Sequence, residues 1–484
     1  MDPEKHGAVT ARAESEDVGS VSNTVDSTVD LHVVRKLRLK IDLIILPTLA
    51  IMYTFNSLDR SNLGNAKTAG LAKDTKLKAD EYNLLLTLYY VMFVIFGPLM
   101  ASFTKVCSAK VALPAMMLAF GVASSATAAA KSFGGLAACR ILVGIFESGF
   151  LASVVFYLSK WYTRNEIASR IAIFYSGAVI ASAFGGLIAY GMFQISPSGG
   201  LFVWSYLFIL EGCLTCLIAI AAYFILPQEI SRAYFLSVAE KEMAETRIRL
   251  ESMENRNDKW VWSEAISEFR TVHGWARVVI GMAVGILPNA SANFLAIMTV
   301  RLGYSVTKTN LYTVAPAATA AAFLLILSYS SDRFRERGFH MIVPLGLSIV
   351  GYAILLSVDV ETQKGIGYGA IFFCTIGAYP MSVIFSAWTV SNIPNLNARA
   401  FTTGVMLACL NSMGLVASNI FLTKEAPRYG TALIVNMAFP CVAIVVTAMY
   451  SLYLRRLNHG LDKRERMSGL TDLVEGQGSF RYQT

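Results

Sequence analysis

The chain is 484 residues long, 55% hydrophobic and only 15% charged, where a soluble domain of that size would hold about a quarter charged residues. Divided into spans of about 20 apolar residues with short connections, the length fits a dozen helices and leaves no room for a large soluble catalytic domain. The excess of 41 Lys and Arg over 33 Asp and Glu lies mostly in short loops rather than in basic clusters with interleaved aromatics, which speaks for membrane topology and against nucleic-acid binding.

Residues 1–40 open the chain as an expected disordered cytoplasmic tail, acidic and rich in Ser, Thr and Val, with no signal-peptide core. An amino-terminal six-helix half is expected over 41–226, with apolar spans near 41–66, 82–104, 111–130, 134–158, 168–191 and 203–226. Residues 227–274 are dense in charges and carry an amphipathic stretch with Phe235, Val238, Ile248 and Leu250, which predicts a solvated, helical cytoplasmic linker. A carboxy-terminal six-helix half follows over 275–456, with spans near 275–300, 309–329, 341–358, 365–390, 400–422 and 431–454, and then a cytoplasmic tail, 457–484. The expected fold is therefore all-α and polytopic, with twelve transmembrane helices in two six-helix halves. Most Lys and Arg then fall on the side of the two termini, which the positive-inside rule makes cytoplasmic. Lys67, Lys73, Lys76 and Lys78 in the first outer loop are exceptions.

All seven cysteines lie in or beside apolar spans, and all five histidines lie in loops or tails. Cys213 and Cys216 have CxxC spacing, but without a second pair they read as small packing residues, and no metal site is expected. No Gly-x-Ser-x-Gly or Walker string appears, so neither an enzyme nor an ATP-driven pump is expected. Two equal halves are the pattern of transporters built from repeats, with a substrate site between them near the midplane. After the eighth span stands the turn Ser331-Asp332-Arg333-Phe334-Arg335-Glu336-Arg337, whereas Phe103–Lys110 occupies the equivalent place after the second. Asp332, Arg333 and Arg337 are expected to gate, with a carboxylate meeting Arg and a helix amino terminus; a positive-inside anchor is the alternative.

Ionisable groups inside spans are costly and so point to function. They are Asp59 and Arg60 late in the first span, Arg140 and Glu147 in the fourth, and Glu211 in the sixth, whose role stays open between packing and site. Arg140 and Glu147 are seven residues apart, about 700° of rotation and roughly 10 Å of rise, so they share one helix face. Two guanidiniums and two carboxylates suit anion binding by bidentate contacts with proton uptake by the acids. The other reading is that Asp59–Arg60 and Arg140–Glu147 are internally neutralised structural pairs. From the second half, uncharged recognition groups are expected from Asn289 and Asn293, which share a face, and from Tyr379, Trp388 and Asn411.

Several of these strings also resemble a known family. Asp59-Arg60-Ser61-Asn62-Leu63-Gly64-Asn65-Ala66, Arg140-Ile141-Leu142-Val143-Gly144-Ile145-Phe146-Glu147-Ser148-Gly149-Phe150, the segment Tyr157–Glu166 and Leu207-Phe208-Ile209-Leu210-Glu211-Gly212 are similar to the fungal anion:cation symporters of the major facilitator superfamily. The allantoate, nicotinate, pantothenate and biotin permeases belong to that family. Leu302-Gly303-Tyr304 with Asn310-Leu311, the Asp332-Arg333 turn, Trp388 with Asn392, Arg399-Ala400 and Ala426-Pro427-Arg428-Tyr429 extend the match across residues 41 to 456. The resemblance implies proton-coupled symport of a small organic anion by alternating access, with no cofactor beyond the proton gradient. It makes Arg60 the anion clamp, Asp59 and Glu147 the proton sites, and Arg140 the partner that modulates Glu147. A multi-pass monomer in the plasma membrane is expected, with the lipid bilayer and the anion as partners.

Two departures stand out. Where the family has a Pro-Gly kink this chain has Ala152 and Ser153, which predicts a straighter fourth helix, and Ala181–Gly186 lacks the Gly-Pro of drug antiporters, which leans toward uptake. Export of a fungal metabolite and a transporter-like nutrient sensor remain the alternatives.

Overall fold

The computed structural model describes residues 31–78, 81–195, 200–251, 260–300, 302, 306–360, 362–420, 425, 428–467 and 481–484. Its regular elements among these residues are helices joined by turns and loops: α1 Leu31–Thr68, α2 Leu71–Asp74, α3 Glu81–Cys107, α4 Ala109–Thr127, α5 Phe133–Glu147, α6 Phe150–Leu158, α7 Ile167–Met192, α8 Ser205–Ile225, α9 Val238–Glu251, α10 Trp262–Ala265, α11 Val272–Val300, α12 Val306–Phe334, α13 Gly338–Ser357, α14 Lys364–Ser391, α15 Leu396–Ile420 and α16 Gly430–Met467. With α5 and α6 as one span, twelve helical units have membrane-crossing length. Among the described residues, ten are both long and apolar enough to cross a bilayer. The other two, α7 and α11, each carry a single Lys or Arg and no Asp or Glu. Outward-facing Leu43, Ile51, Val122, Leu217, Phe224, Ile326 and Val445 give the bundle an apolar exterior, which only a lipid environment satisfies.

The packing repeats between the halves. In the first half α1 packs on α7, α3 on α5, and α4 on α8; in the second, α11 packs on α15, α12 on α14, and α13 on α16. These are the same pairs in span order: first with fifth, second with fourth, third with sixth. The halves meet through α3 against α15 and α7 against α12, two contacts that a pseudo-twofold axis interchanges. One apolar core, around Tyr53, Phe120, Phe150 and Trp161, fills the first half and extends to Leu324, Tyr379 and Val383 of the second, and another, around Tyr352, Phe385 and Trp388, belongs to the second half.

The fourth span is not straighter than expected of the family; it breaks between Glu147 and Phe150. A Cβ added at Gly149 would lie 2.2 Å from Met100 Cβ, so only glycine lets α3 approach this closely. Ser148 Oγ turns back to donate to Ile145 O at 2.6 Å. The interruption thus sits directly after Glu147 rather than at Ala152-Ser153.

The tails and linker are more structured than the sequence suggests. Residues 1–30 lie outside the described residues, but 31–40 already belong to α1, and α16 continues to Met467. The linker is not merely solvated: Phe235, Leu236, Ala244 and Ile248 pack on the first-half core, with Phe235 stacked on Trp161 at 6.5 Å. Lys40 pairs with Glu240, and Arg247 reaches Glu166 at 3.0 Å. Burial opposes ionisation of Glu166, yet Arg247, Arg170 and Arg38 together hold its carboxyl below the usual carboxylate range. Farther on, Glu264 accepts from Asn395 and Asn397 of the second half at 3.0 and 2.7 Å. This linker, the start of α1 and residues 481–484 lie on one face of the bundle, the linker face.

Candidate transport site

The charged residues of the first and fourth spans converge, but they pair across helices rather than within them. Arg60 on α1 places Nε 3.3 Å from Glu147 Oε2 at the end of α5, and its guanidinium lies over the Phe93 ring of α3 at 5.0 Å. Glu147 is fully buried, and the same oxygen accepts from Tyr89 Oη at 2.5 Å. Its other oxygen, Oε1, has no partner. Arg60 retains 30% side-chain exposure, so within this pair the arginine is the more accessible member.

The second pair is Asp59 with Arg140. They are electrostatic neighbours; Asp59 accepts from Ser124 Oγ through one oxygen, and its Oδ2 is buried without a partner. Arg140 lies over the Phe208 ring at 5.6 Å, with Nε and Nη2 likewise unpartnered. The seven-residue spacing within the fourth span therefore aims Arg140 and Glu147 at different residues of α1. Glu211 sits beside this second pair: Asn62 Nδ2 donates to it at 2.5 Å, while Glu211 Oε1 and Asn62 Oδ1 have no partner. Each unsatisfied buried polar group costs about 1–3 kcal/mol, and several of them cluster here on α1, α5 and α8.

Helix spacing explains the convergence. Asn56, Asp59 and Asn62 recur every three residues, which lines one face of α1 with polar groups. A Cβ at Gly144 would stand 2.7 Å from Tyr89 O, so that glycine brings α5 against α3 and sets Tyr89 beside Glu147. Sequence reasoning missed Tyr89, Phe93 and Ser124. The Tyr89-Tyr90 doublet in an apolar span was the available signal, but a lone aromatic or hydroxyl does not announce its partner.

The second-half candidates are placed differently. Asn289 spends its amide hydrogens on Gly285 O at 2.8 Å and Leu410 O at 3.2 Å, tying α11 to α15. Asn411 donates to Leu407 O of its own helix at 2.8 Å. Tyr379 is buried in the core shared with the first half. Trp388 donates its indole N–H to Gln483 O at 2.8 Å on the linker face, nine residues and roughly 14 Å of helix from Tyr379. The side chain of Asn293 lies outside the described residues, as do Gly303, Tyr304, Ala426 and Pro427.

On the linker face, Asp332 at the end of α12 accepts from Ala168 N and Ser169 N at 3.2 and 2.7 Å and from the Ser169 hydroxyl, capping the amino terminus of α7. Arg337 pairs with Asp332 at 2.8 Å and donates to Arg164 O at 2.6 Å, so both residues bridge the halves. Arg333 is exposed, outside this contact.

A family model described as Major Facilitator Superfamily matches residues 49–418. The chain belongs to the major facilitator superfamily. The MFS-type transporter efuF of Hormonema carpetanum is 40% identical over 452 residues, covering 93% of this chain and 91% of that one. The high-affinity nicotinic acid transporter of Saccharomyces cerevisiae is 29% identical over 419 residues, covering 87% and 78%. Among solved structures, a bacterial homolog of the human lysosomal transporter Spinster, in an inward-facing and unoccupied conformation, aligns with a TM-score of 0.56 at 16% identity, covering 84% of this chain and 95% of that one. That likeness concerns the fold. The chain is thus a multi-pass membrane protein of a transporter superfamily, resembling the fungal permeases within it.

Proposed function

We propose that the protein is a secondary transporter that moves a small organic anion together with protons by alternating access. The observation that carries this reading is Arg60, held between the buried Glu147 and the Phe93 ring with 30% of its side chain exposed. An incoming carboxylate competes with Glu147 for Arg60 and gains the bidentate geometry that guanidinium offers. Glu147, fully buried and left with only the Tyr89 hydroxyl, loses its counter-charge and takes a proton. Anion and proton are then bound together, which is the coupling that symport requires. Asp59, with Arg140, Ser124 and Glu211 around it, supplies a second place for a proton. No covalent chemistry and no cofactor enter this cycle; the gradient is the energy source.

Kinship with a nicotinic acid transporter supports an acid as substrate. The basic residues on the linker face support its being cytoplasmic, and a monomer in the plasma membrane is the simplest form consistent with two halves enclosing one site. The test is uptake of a labelled carboxylate panel in yeast lacking its own carboxylate permeases, with and without an inward proton gradient. Gradient-driven entry of one acid supports the reading. Surface-expressed protein that admits none under any gradient would overturn it in favour of export.

A further inference from the structure

The segment Arg481–Thr484 lies threaded into the linker face between the two halves. Gln483 is buried, its backbone N–H donates to Asn392 Oδ1 at 2.7 Å, and its carbonyl accepts from Asn392 Nδ2 at 2.9 Å and from Trp388 Nε1 at 2.8 Å. Thr484 O accepts from Arg337 N and Gly338 N at 2.6 and 3.1 Å, the amino end of α13. Tyr482 exchanges backbone bonds with the Asn458 side chain at 3.0 and 2.8 Å and stacks on His273 at 5.2 Å. All of these partners lie between the start of α11 and the end of α16.

Two contacts cross to the first half: Gln483 Nε2 donates to Asn165 Oδ1 at 3.1 Å, and Arg164 Nη1 donates to Arg481 O at 3.1 Å. Gln483 Oε1 meanwhile accepts from Arg337 Nε at 3.2 Å, the same arginine that holds Asp332 and Arg164 across the halves. The segment therefore joins the gate at its central arginine and adds two inter-half bonds to those of Asp332 and Arg337.

We infer that Arg481–Thr484 is a strap docked on the second half that holds the linker-face gate closed, and that it must release Asn165 and Arg164 before the halves part there. The inference rests on the alternating-access reading but not on the substrate or its charge. Two hydrogen bonds present in only one of two states bias that equilibrium by their differential energy alone, so losing them raises the share of the open state roughly tenfold.

The experiment uses the full chain carrying Ser391→Cys, a near-isosteric change at a buried serine beside Asn392 whose Oγ has no partner. Inside-out vesicles are treated with a membrane-impermeant maleimide, and labelling of that peptide is followed by mass spectrometry, which separates it from the native cysteines. Deletion of 481–484, which removes both inter-half bonds, should speed labelling roughly tenfold, and Gln483→Ala, which removes one of them, roughly threefold. The single substitution guards against a folding defect in the deletion, and thermal unfolding of each variant checks this. Labelling at equal rates with the segment present, deleted or substituted would overturn the strap. Uptake has no part in this readout, so a wrong substrate class leaves its result intact, and its failure leaves the carboxylate reading standing.

Discussion

Replacing Arg60 by Lys tests the clamp without removing its charge. Arg60 faces Glu147 through Nε at 3.3 Å and lies over Phe93 at 5.0 Å. Lysine keeps a cation beside Glu147, and so spares the protein an unpaired buried carboxylate, but it lacks the planar fork that holds a substrate carboxylate through two parallel bonds. The loss is one charge-assisted hydrogen bond, about 1.5–3 kcal/mol, or roughly 10- to 150-fold in apparent affinity for the anion. The assay is initial-rate uptake of the acid identified in the carboxylate panel, over a concentration series, with surface expression matched to the wild type. The expected result is an apparent KM raised by at least tenfold. A KM within twofold of wild type would refute the clamp, because no residue in direct guanidinium contact with a carboxylate loses its second bond without cost.

Gly149→Val should lower thermal stability in detergent by about 1–3 kcal/mol, because a Cβ there would lie 2.2 Å from Met100 Cβ; an unchanged melting temperature would contradict the close approach of α3. Asp332→Asn removes the charge from a buried pair whose partner Arg337 is itself fully buried. Weakening that contact by about 3 kcal/mol should raise hydrogen exchange at Ala168 and Ser169 by on the order of a hundredfold, and wild-type protection at both amides would count against the gate. For Glu166, whose carboxyl is held below its ordinary value of 4.5, the sign is that of a depressed acid: its contribution is full above that value and is lost as pH falls below it. Protection of the α9 linker helix from protease should therefore be flat from pH 7 to about pH 5 and fall only under more acid conditions, while Glu166→Gln should loosen it across that flat range and converge with the wild type in acid; a transition near neutrality would contradict this.

The architecture was legible because spans of apolar residues dominate the chain, and the six-plus-six division follows from the one charged gap at 227–274. What sequence spacing could not give was which charges face each other. Arg140 and Glu147 share a helix face, yet the close α3–α5 approach at Gly144 and the break after Glu147 send one toward Asp59 and the other to Arg60 and Tyr89. Asp332 at the head of α7 was readable from a compact charged turn, whereas Arg333 in the same turn is exposed. Trp388 looked like a recognition group by residue type; its depth along α14 and its bond to Gln483 are properties of the assembled bundle. The carboxy-terminal segment was invisible for the same reason: four residues after a polar stretch carry no periodicity, and their meaning comes from Asn392, Asn458 and Arg337 elsewhere in the chain.

The most direct test of coupling at Glu147 is to compare gradient-driven accumulation with gradient-free exchange of the same acid in wild type and Glu147→Gln. A neutral amide cannot carry the proton but still fills the space beside Arg60, so accumulation should vanish while exchange across the membrane persists. Retained exchange also proves that the variant is folded and binds the anion. If Glu147→Gln accumulated the acid against a gradient as the wild type does, Glu147 would not be the proton site, and the competition at Arg60 would not be the coupling step.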